Sequence, residues 1–191
     1  MSKINVLGID PSLRNFGFAH ASIDLETFDV ELKRVELASP PTVAKAVKKA
    51  VRVNSDDLRR ARFLFAALQK NIKGNQIAIV EVPVGSQSAR SMASYGICVG
   101  VLASCNIPII EVTPSEVKMS ACGDKQATKA DMIAWAKATH PNANWLTRKS
   151  KGEVVLTNNN EHLADATAAI YAGAVTEQFN MAAALMKGMA A

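Results

Sequence analysis

The chain predicts an α/β domain built on a five-stranded mixed sheet, its first three strands antiparallel, with helices covering both faces. Three observations point there. Strand-like runs at 3–9, 16–24 and 28–38 follow one another with links too short for a crossover. Two further short apolar runs, at 76–83 and 107–114, are each reached through a stretch of helical period, as a strand entered from a crossover would be. The C-terminal part is Ala-rich and helical in pattern.

The elements follow in order. Residues 3–9 (KINVLGI) are rich in Ile, Val and Leu and read as a buried strand. FGFAHASID (16–24) alternates well enough for a second, and FDVELKRVELA (28–38) alternates more clearly, with Val30, Leu32, Val35 and Leu37 among charges. Pro40-Pro41 then breaks the meander. TVAKAVKKAVRV (42–53) is amphipathic at helical period, with Lys45, Lys48, Lys49 and Arg52 on one face. A helix is expected over 54–74, N-capped by Ser55, with Asp56 and Asp57 in its first turn and Gly74 at its stop. QIAIVEVP (76–83) is expected to be a central strand, SARSMASYGICVGVLASC (88–105) a helix, IPIIEVTP (107–114) a buried strand and KADMIAWAKATH (129–140) a helix. PNANWLTRKSKGEVVLTNNN (141–160) is polar and basic and is expected to be a loop, and EHLADATAAIYAGAVTEQFNMAAALMKG (161–188) to be one helix.

With 191 residues and 49% hydrophobic content, the chain can bury a core without disulfides or structural metals, and a single domain over 1–191 is expected. A formal net charge of +5 favours a polyanionic partner such as nucleic acid, though only weakly by itself. Cys98, Cys105 and Cys122 have no framework spacing, which argues for a reducing compartment, with Cys98 and Cys105 read as buried thiols. MSKINVLGID lacks the long apolar core of a signal peptide. YGICVGVLASCNIPII is too interrupted for a membrane span of about 20 residues. A cytoplasmic protein with no membrane partner is expected.

Four residues carry the chemistry. Asp10 ends the first strand before a Pro-Ser turn, and Glu81 ends the fourth. His162 and Asp165, three apart on the last helix, share one face. Strand ends in such a sheet are where sites form. Taken singly, each has a plain structural role open to it: a turn former for Asp10, an exposed strand end for Glu81, a solvated helix face or first-turn group for His162 and Asp165. The conjunction is harder to dismiss. Glu81 stands inside the apolar run IVEV and Asp165 among the alanines of HLADATAAIYAGA, where an unpaired carboxylate is costly. No Lys or Arg is their sequence neighbour, and a divalent cation would supply the missing charge.

Three carboxylates and a histidine suit a hard ion. Mg²⁺ takes a few carboxylates plus waters, and Mn²⁺ tolerates imidazole better. Two such ions, on the order of 4 Å apart, would position water and stabilise the leaving oxygen in phosphodiester hydrolysis. Zinc is disfavoured by the absence of CxxC and HxxxH pairs. A Cys–His nucleophilic pair is open on composition but has no local motif, and Walker and Rossmann loops are absent.

VLGIDPSLRNFGFA (6–19), IAIVEVP (77–83), IIEVTPSEVKMSACGDKQATKADM (109–132) and EHLADATAAIYAG (161–173) resemble, in order, the motifs of the RuvC family of Holliday junction resolvases. The first is similar to that family's GIDPG-x-x-x-x-G-x-(G/A), the third to its P-x-x-V-K segment with a following Gly and helix-leading Lys, and the last to its (D/H)-x-A-D-A. The resemblance spans nearly the whole chain. It implies an RNase H-like (retroviral integrase) fold, a single RuvC-like nuclease domain, and Asp10, Glu81, His162 and Asp165 as catalytic metal ligands. Glu161, four residues before Asp165, is a substitute ligand. It also implies Mg²⁺ as cofactor, two ions with Mn²⁺ able to replace them, and a homodimer in which each subunit cuts one of two symmetric strands of a four-way junction. The chain departs from the pattern at Ser12, where the family usually has Gly, and at Val84, where it often carries an aromatic at the junction centre. Tyr95 or a residue of the basic loop is a substitute for that aromatic.

Phosphate contacts need Lys and Arg around the site. Lys118, Lys125 and Lys129 lie in the segment resembling the family's DNA-facing region. Arg14 and Arg90 follow the first two acids, and Arg148, Lys149 and Lys151 precede the last motif. The Lys45–Arg52 stripe is either a further contact or a solvated face. The expected function is metal-dependent resolution of four-way DNA junctions. The alternatives are an RNase H-like nuclease acting on flaps, forks or structured RNA, and a catalytically silent nucleic-acid-binding module.

Overall fold

The computed structural model describes residues 3–42 and 52–190. The amphipathic stretch 42–53 therefore falls largely outside the described residues. Strands β1 (Lys3–Pro11), β2 (Phe16–Asp24) and β3 (Val30–Ala38) form the expected antiparallel meander. Helix α1 (Val53–Asn71) crosses to β4 (Ile77–Glu81), which pairs parallel to β1. Helix α2 (Ala89–Leu102) crosses to β5 (Ile109–Val112), which pairs parallel to β4. The sheet order is β3-β2-β1-β4-β5, so β1 is central. Helices α3 (Pro114–Cys122), α4 (Lys129–Thr139), α5 (Asn160–Ala174) and α6 (Glu177–Ala190) complete the chain, with a hairpin of β6 (Thr147–Ser150) and β7 (Glu153–Leu156) between α4 and α5.

The period of two sorts the sheet into two faces, each with its own core. Ile4, Val6, Ala19, Ala21, Ile77 and Ile79 pack with Leu163, Ala166, Ile170, Met132 and Phe179 under α4, α5 and α6. Leu7, Ile9, Phe16, Phe18, Ala78 and Val80 pack with Leu64, Leu68, Cys98 and Val101 under α1 and α2. Helix α5 touches all five strands of the sheet. Among the described residues no helix is long and apolar enough to cross a membrane.

Four expectations are corrected. The polar stretch 141–160 is not all loop: Thr147↔Leu156 through Ser150↔Glu153 pair as a hairpin, turned at Lys151 and Gly152, both at positive φ. Helix α3 was not expected, although Thr113 and Glu116 form a capping box around Pro114 and Gly123 closes the helix in the left-handed region. The long C-terminal helix is two, because the Thr176 hydroxyl accepts from the Phe179 N–H and starts α6 afresh. Ser55 does not cap α1, which begins earlier, after Arg52 and without a side-chain cap. Asp56 instead pairs with Arg59 and Arg60.

Candidate active site

The pleat aims both strand acids the same way. Asp10 has the parity of Val6, and Glu81 that of Ile77 and Ile79, so both side chains leave the sheet on the face that α5 covers. Ile9 pairs with Val80 in parallel register, which sets Asp10 beside Glu81 at the same end of adjacent strands. Helix α5 can lie directly over them because the strands present glycine where its backbone passes. A Cβ on Gly17 would stand 2.0 Å from the His162 carbonyl oxygen, and one on Gly8 2.0 Å from that of Ala166. The close approach brings His162 and Asp165 onto the acids.

His162 Nδ1 lies 2.6 Å from Asp10 Oδ2, and the two side chains are 15% and 14% exposed. The other ring nitrogen, Nε2, is 3.2 Å from Asn15 Nδ2 and 3.5 Å from Glu161 Oε1. Both nitrogens of His162 thus already have protein partners. Burial lowers the proton affinity of this imidazole, but the hydrogen bond and charge of Asp10, followed by Glu161 and Asp165, outweigh it and the pKa is raised.

Burial and then the charge of Asp10 push Glu81 up to about 8, with Lys118 pulling the other way. Burial, Asp10 and Glu81 likewise push Asp165 up to about 8. Crowded carboxyls on one low-dielectric face cannot all ionise without a compensating cation. The donor set and its excess negative charge therefore fit a hard divalent ion. As they stand, no three His, Cys, Asp or Glu side chains among the described residues converge closely enough to hold one, and Asp10 gives one oxygen to His162. Ligation requires these side chains to draw together.

A cysteine nucleophile has no support. Burial pushes the Cys98 thiol up to about 12, and His20, His140 and His162 hydrogen-bond Asn71, Tyr171 and Asp10 respectively.

The other expected site residues divide. Glu161 Oε2 is paired with Lys129 Nζ at 2.6 Å, so each is engaged by the other beside His162. Arg90 is spent structurally: its guanidinium grips the Asp57 carboxylate with two bonds, Nη2 to Oδ1 at 2.7 Å, tying α2 to α1. Arg14 is exposed and lines a cleft of about 770 Å³ between the β1–β2 turn and helices α1 and α2, shared with Arg60, Tyr95 and His162. Lys118 is near Glu81 on α3, and Lys125 is exposed before α4. Arg148, Lys149 and Lys151 stand on the β6–β7 hairpin. Val84 is 78% exposed just beyond β4. The partners Asn15 and Ser39 were not anticipated. Asn15 lies 147 positions from His162, and nothing local marks such a pairing.

The sheet order, with three antiparallel strands followed by two parallel ones, and α5 laid across all five, defines an RNase H-like fold. No protein-family model matches the chain, and no curated protein does. Among solved structures, RuvC of T. thermophilus in complex with a Holliday junction substrate is similar at a TM-score of 0.63 and 17% identity, covering 94% of this chain and 97% of that one. A second structure of Thermus thermophilus RuvC is similar at a TM-score of 0.59 and 17% identity, covering 97% of each. The chain thus has the fold of the RuvC resolvases that its motifs resemble.

Proposed function

We propose that the protein is a divalent-metal-dependent endonuclease that cuts branched DNA, with four-way junctions as substrate and one nuclease domain over 1–191 acting in a homodimer. The observation that carries this reading is that β1, β4 and α5 place Asp10, Glu81, Asp165 and His162 on the same face of an RNase H-like sheet, near enough to perturb one another's proton affinity. Similarity of fold to RuvC bound to a Holliday junction supports it.

Asp10, Glu81 and Asp165 would hold Mg²⁺, or Mn²⁺ in its place, as a pair of ions. When bound, the metal supplies an activated water and stabilises the departing oxygen of the phosphodiester. The carboxyls release protons on taking it up, because two of them titrate near 8 without it. His162 orients Asp10 through Nδ1 and exchanges a proton with the reacting groups through Nε2. Joining the ion's coordination shell as well would require Nδ1 to leave Asp10 or Nε2 to leave Asn15. Arg14, Lys118, Lys125 and the hairpin cations Arg148, Lys149 and Lys151 contact phosphates, and Lys129 would join them only by leaving Glu161.

The test is cleavage of a synthetic four-way junction with and without Mg²⁺, nicks mapped on both strands, beside fork, flap, duplex and structured-RNA substrates. Symmetric Mg²⁺-dependent nicks are expected, and Asp10→Asn should abolish them while junction binding persists. Full cleavage by Asp10→Asn would refute the metal site. Preference for forks or flaps is the second reading, favoured by Val84 standing where the family often carries an aromatic. Binding without cleavage of any substrate would identify a silent module.

A further inference from the structure

We infer that the β6–β7 hairpin is a DNA-gripping ribbon: it enters the major groove of one duplex arm beside the cleaved strand, with Arg148, Lys149 and Lys151 on phosphates and Val154 on base edges. The inference rests on the proposed nuclease reading and deepens it by naming the substrate feature that this part of the chain holds.

The hairpin is a sheet of its own. Neither strand joins the five-stranded sheet, and every residue of both strands is exposed or half-buried. An isolated pair of short strands is at best marginal in water, so this one has to be held from outside, and it is held at its feet. Asn160, fully buried in the first turn of α5, closes a ring on the backbone of Leu146. The Leu146 N–H donates to Asn160 Oδ1 at 2.8 Å, and Asn160 Nδ2 donates to the Leu146 carbonyl at 2.8 Å. The Thr157 N–H donates to that same carbonyl at 3.0 Å, and Leu146 and Leu156 pack against the core. The ribbon is thus rooted two residues before His162. Four paired rows and a turn, at about 3.4 Å per residue, give it a reach of about 15 Å from that root.

What the ribbon carries suits DNA. Arg148, Lys149 and Lys151 face one acid, Glu153. Among the described residues none of the three cations is in an ion pair. Pairing sets Lys149 across from Val154, which is 69% exposed. The long cationic side chains reach the phosphate rims of a groove. Val154 is too short to do so and is left facing the base edges, where a thymine methyl is its match. The turn points the same way. Lys151 and Gly152 both take positive φ, 50° and 88°, as a two-residue hairpin turn requires, yet the first place ordinarily goes to Asn, Asp or Gly. Lysine there sets a cation at the tip against the backbone preference.

Size selects the groove. Paired strands lie about 4.8 Å apart, and with side chains the ribbon is on the order of 10 Å across. The major groove, about 12 Å wide, admits a two-stranded ribbon, and the minor groove, about 6 Å wide, does not.

The test is a dimethyl sulfate footprint of the protein on a four-way junction without divalent metal. The reagent marks guanine N7 in the major groove and adenine N3 in the minor groove. The wild type should protect N7 positions over about 5 base pairs, half a helical turn, of one arm beside the cleavage site, and leave adenine N3 there reactive. Arg148→Ala/Lys149→Ala/Lys151→Ala should lose that protection, with a salt slope shallower by about 0.9 for each phosphate released. Val154→Ser should bind about 10-fold more weakly with the slope unchanged. Both variants should melt with the wild type, because all four side chains are exposed.

Protection of adenine N3 instead, an N7 footprint that the triple variant keeps, or a wild type that binds without any N7 footprint would overturn the inference. The footprint requires no cleavage. A hairpin-dependent N7 footprint on plain duplex, with no substrate cut in Mg²⁺, would therefore refute the nuclease reading and leave the ribbon supported. Junction cleavage without a hairpin-dependent footprint would do the reverse.

Discussion

Gly17→Ala tests whether the position of α5, and with it the site, depends on a missing side chain. The added Cβ would lie 2.0 Å from the His162 carbonyl oxygen and 2.6 Å from its carbonyl carbon, where approaches under 3.0 Å are essentially never made. Either α5 or β2 must then move, and both are backbone locked in a core, so the clash cannot be relieved by a rotamer. Overpacking of this kind costs about 1–3 kcal/mol, and a backbone-to-backbone clash belongs at the upper end. For a domain of this size about 3 kcal/mol corresponds to a loss of about 6–12 °C in Tm. The shift is applied at His162 itself, and a displacement of about 1 Å can cost about 100-fold in rate. The controls are Gly96→Ala and Gly100→Ala in α2, where a Cβ meets nothing within 4 Å. In a helix that exchange stabilises by up to about 1 kcal/mol. Thermal melts of the three variants, read with junction cleavage, decide the matter. A Gly17→Ala protein as stable and active as the wild type, or controls as damaged as Gly17→Ala, would refute this account of the packing.

Stability should fall as pH rises from about 6.5 to 8 in metal-free protein. Glu81 and Asp165, at about 8 against ordinary values of 4.5 and 3.8, keep protons in the folded state that the unfolded chain has lost. His162, raised as well, acts in the same sense. The opposite contributions of His20 and His140, lowered chiefly by burial, fade out by about pH 7.5 as the unfolded imidazoles lose their protons, and the two carboxyls outweigh them. Glu81→Gln should flatten the slope, and Mg²⁺ should raise Tm more at pH 8 than at pH 6.5. A Tm that climbs across this window would contradict the crowding of acids. Arg90→Ala should lower stability by about 1.5–3 kcal/mol, because Asp57, its side chain 9% exposed, loses two charge-assisted bonds, and should leave the salt dependence of DNA binding unchanged in titrations. Lys118→Glu and Lys125→Glu should do the reverse, with a salt slope shallower by about 0.9 for each phosphate left without its cation.

What the sequence disclosed, it disclosed through periodicity. Strands β1 to β5 each bury at least one face, so their apolar patterns were legible, and the ends of the first and fourth runs marked Asp10 and Glu81. The β6–β7 hairpin was invisible for the converse reason: its residues are exposed or half-buried throughout, leaving no apolar alternation to read. Helix α3 hid behind its brevity, although Thr113-Pro114-Ser115-Glu116 carries a capping signature. The break before α6 rests on one threonine hydroxyl in a run of good helix formers, and propensity could not show it. Arg90 and Lys129 read equally well as phosphate ligands and as partners of acids. Only the fold shows that Asp57 and Glu161 reach them first.

The turn after Asp10 is where local chain geometry and long-range packing meet. By pattern alone Ser12 was a departure with no assigned purpose, and nothing singled out Asn15. In the fold, β1 and β2 pair from Lys3↔Asp24 to Pro11↔Phe16, leaving four residues, Ser12 to Asn15, to close the hairpin at the end of the sheet that carries Asp10 and Glu81. A turn so short and so placed has to pass beside α5. Whatever its last residue carries will meet the first turn of that helix, where His162 stands. The same glycine contacts that bring α5 down onto Asp10 therefore bring Asn15 onto His162. A change in the turn and a change in helix packing should thus converge on one place, the contact of Asn15 with His162 beside Asp10.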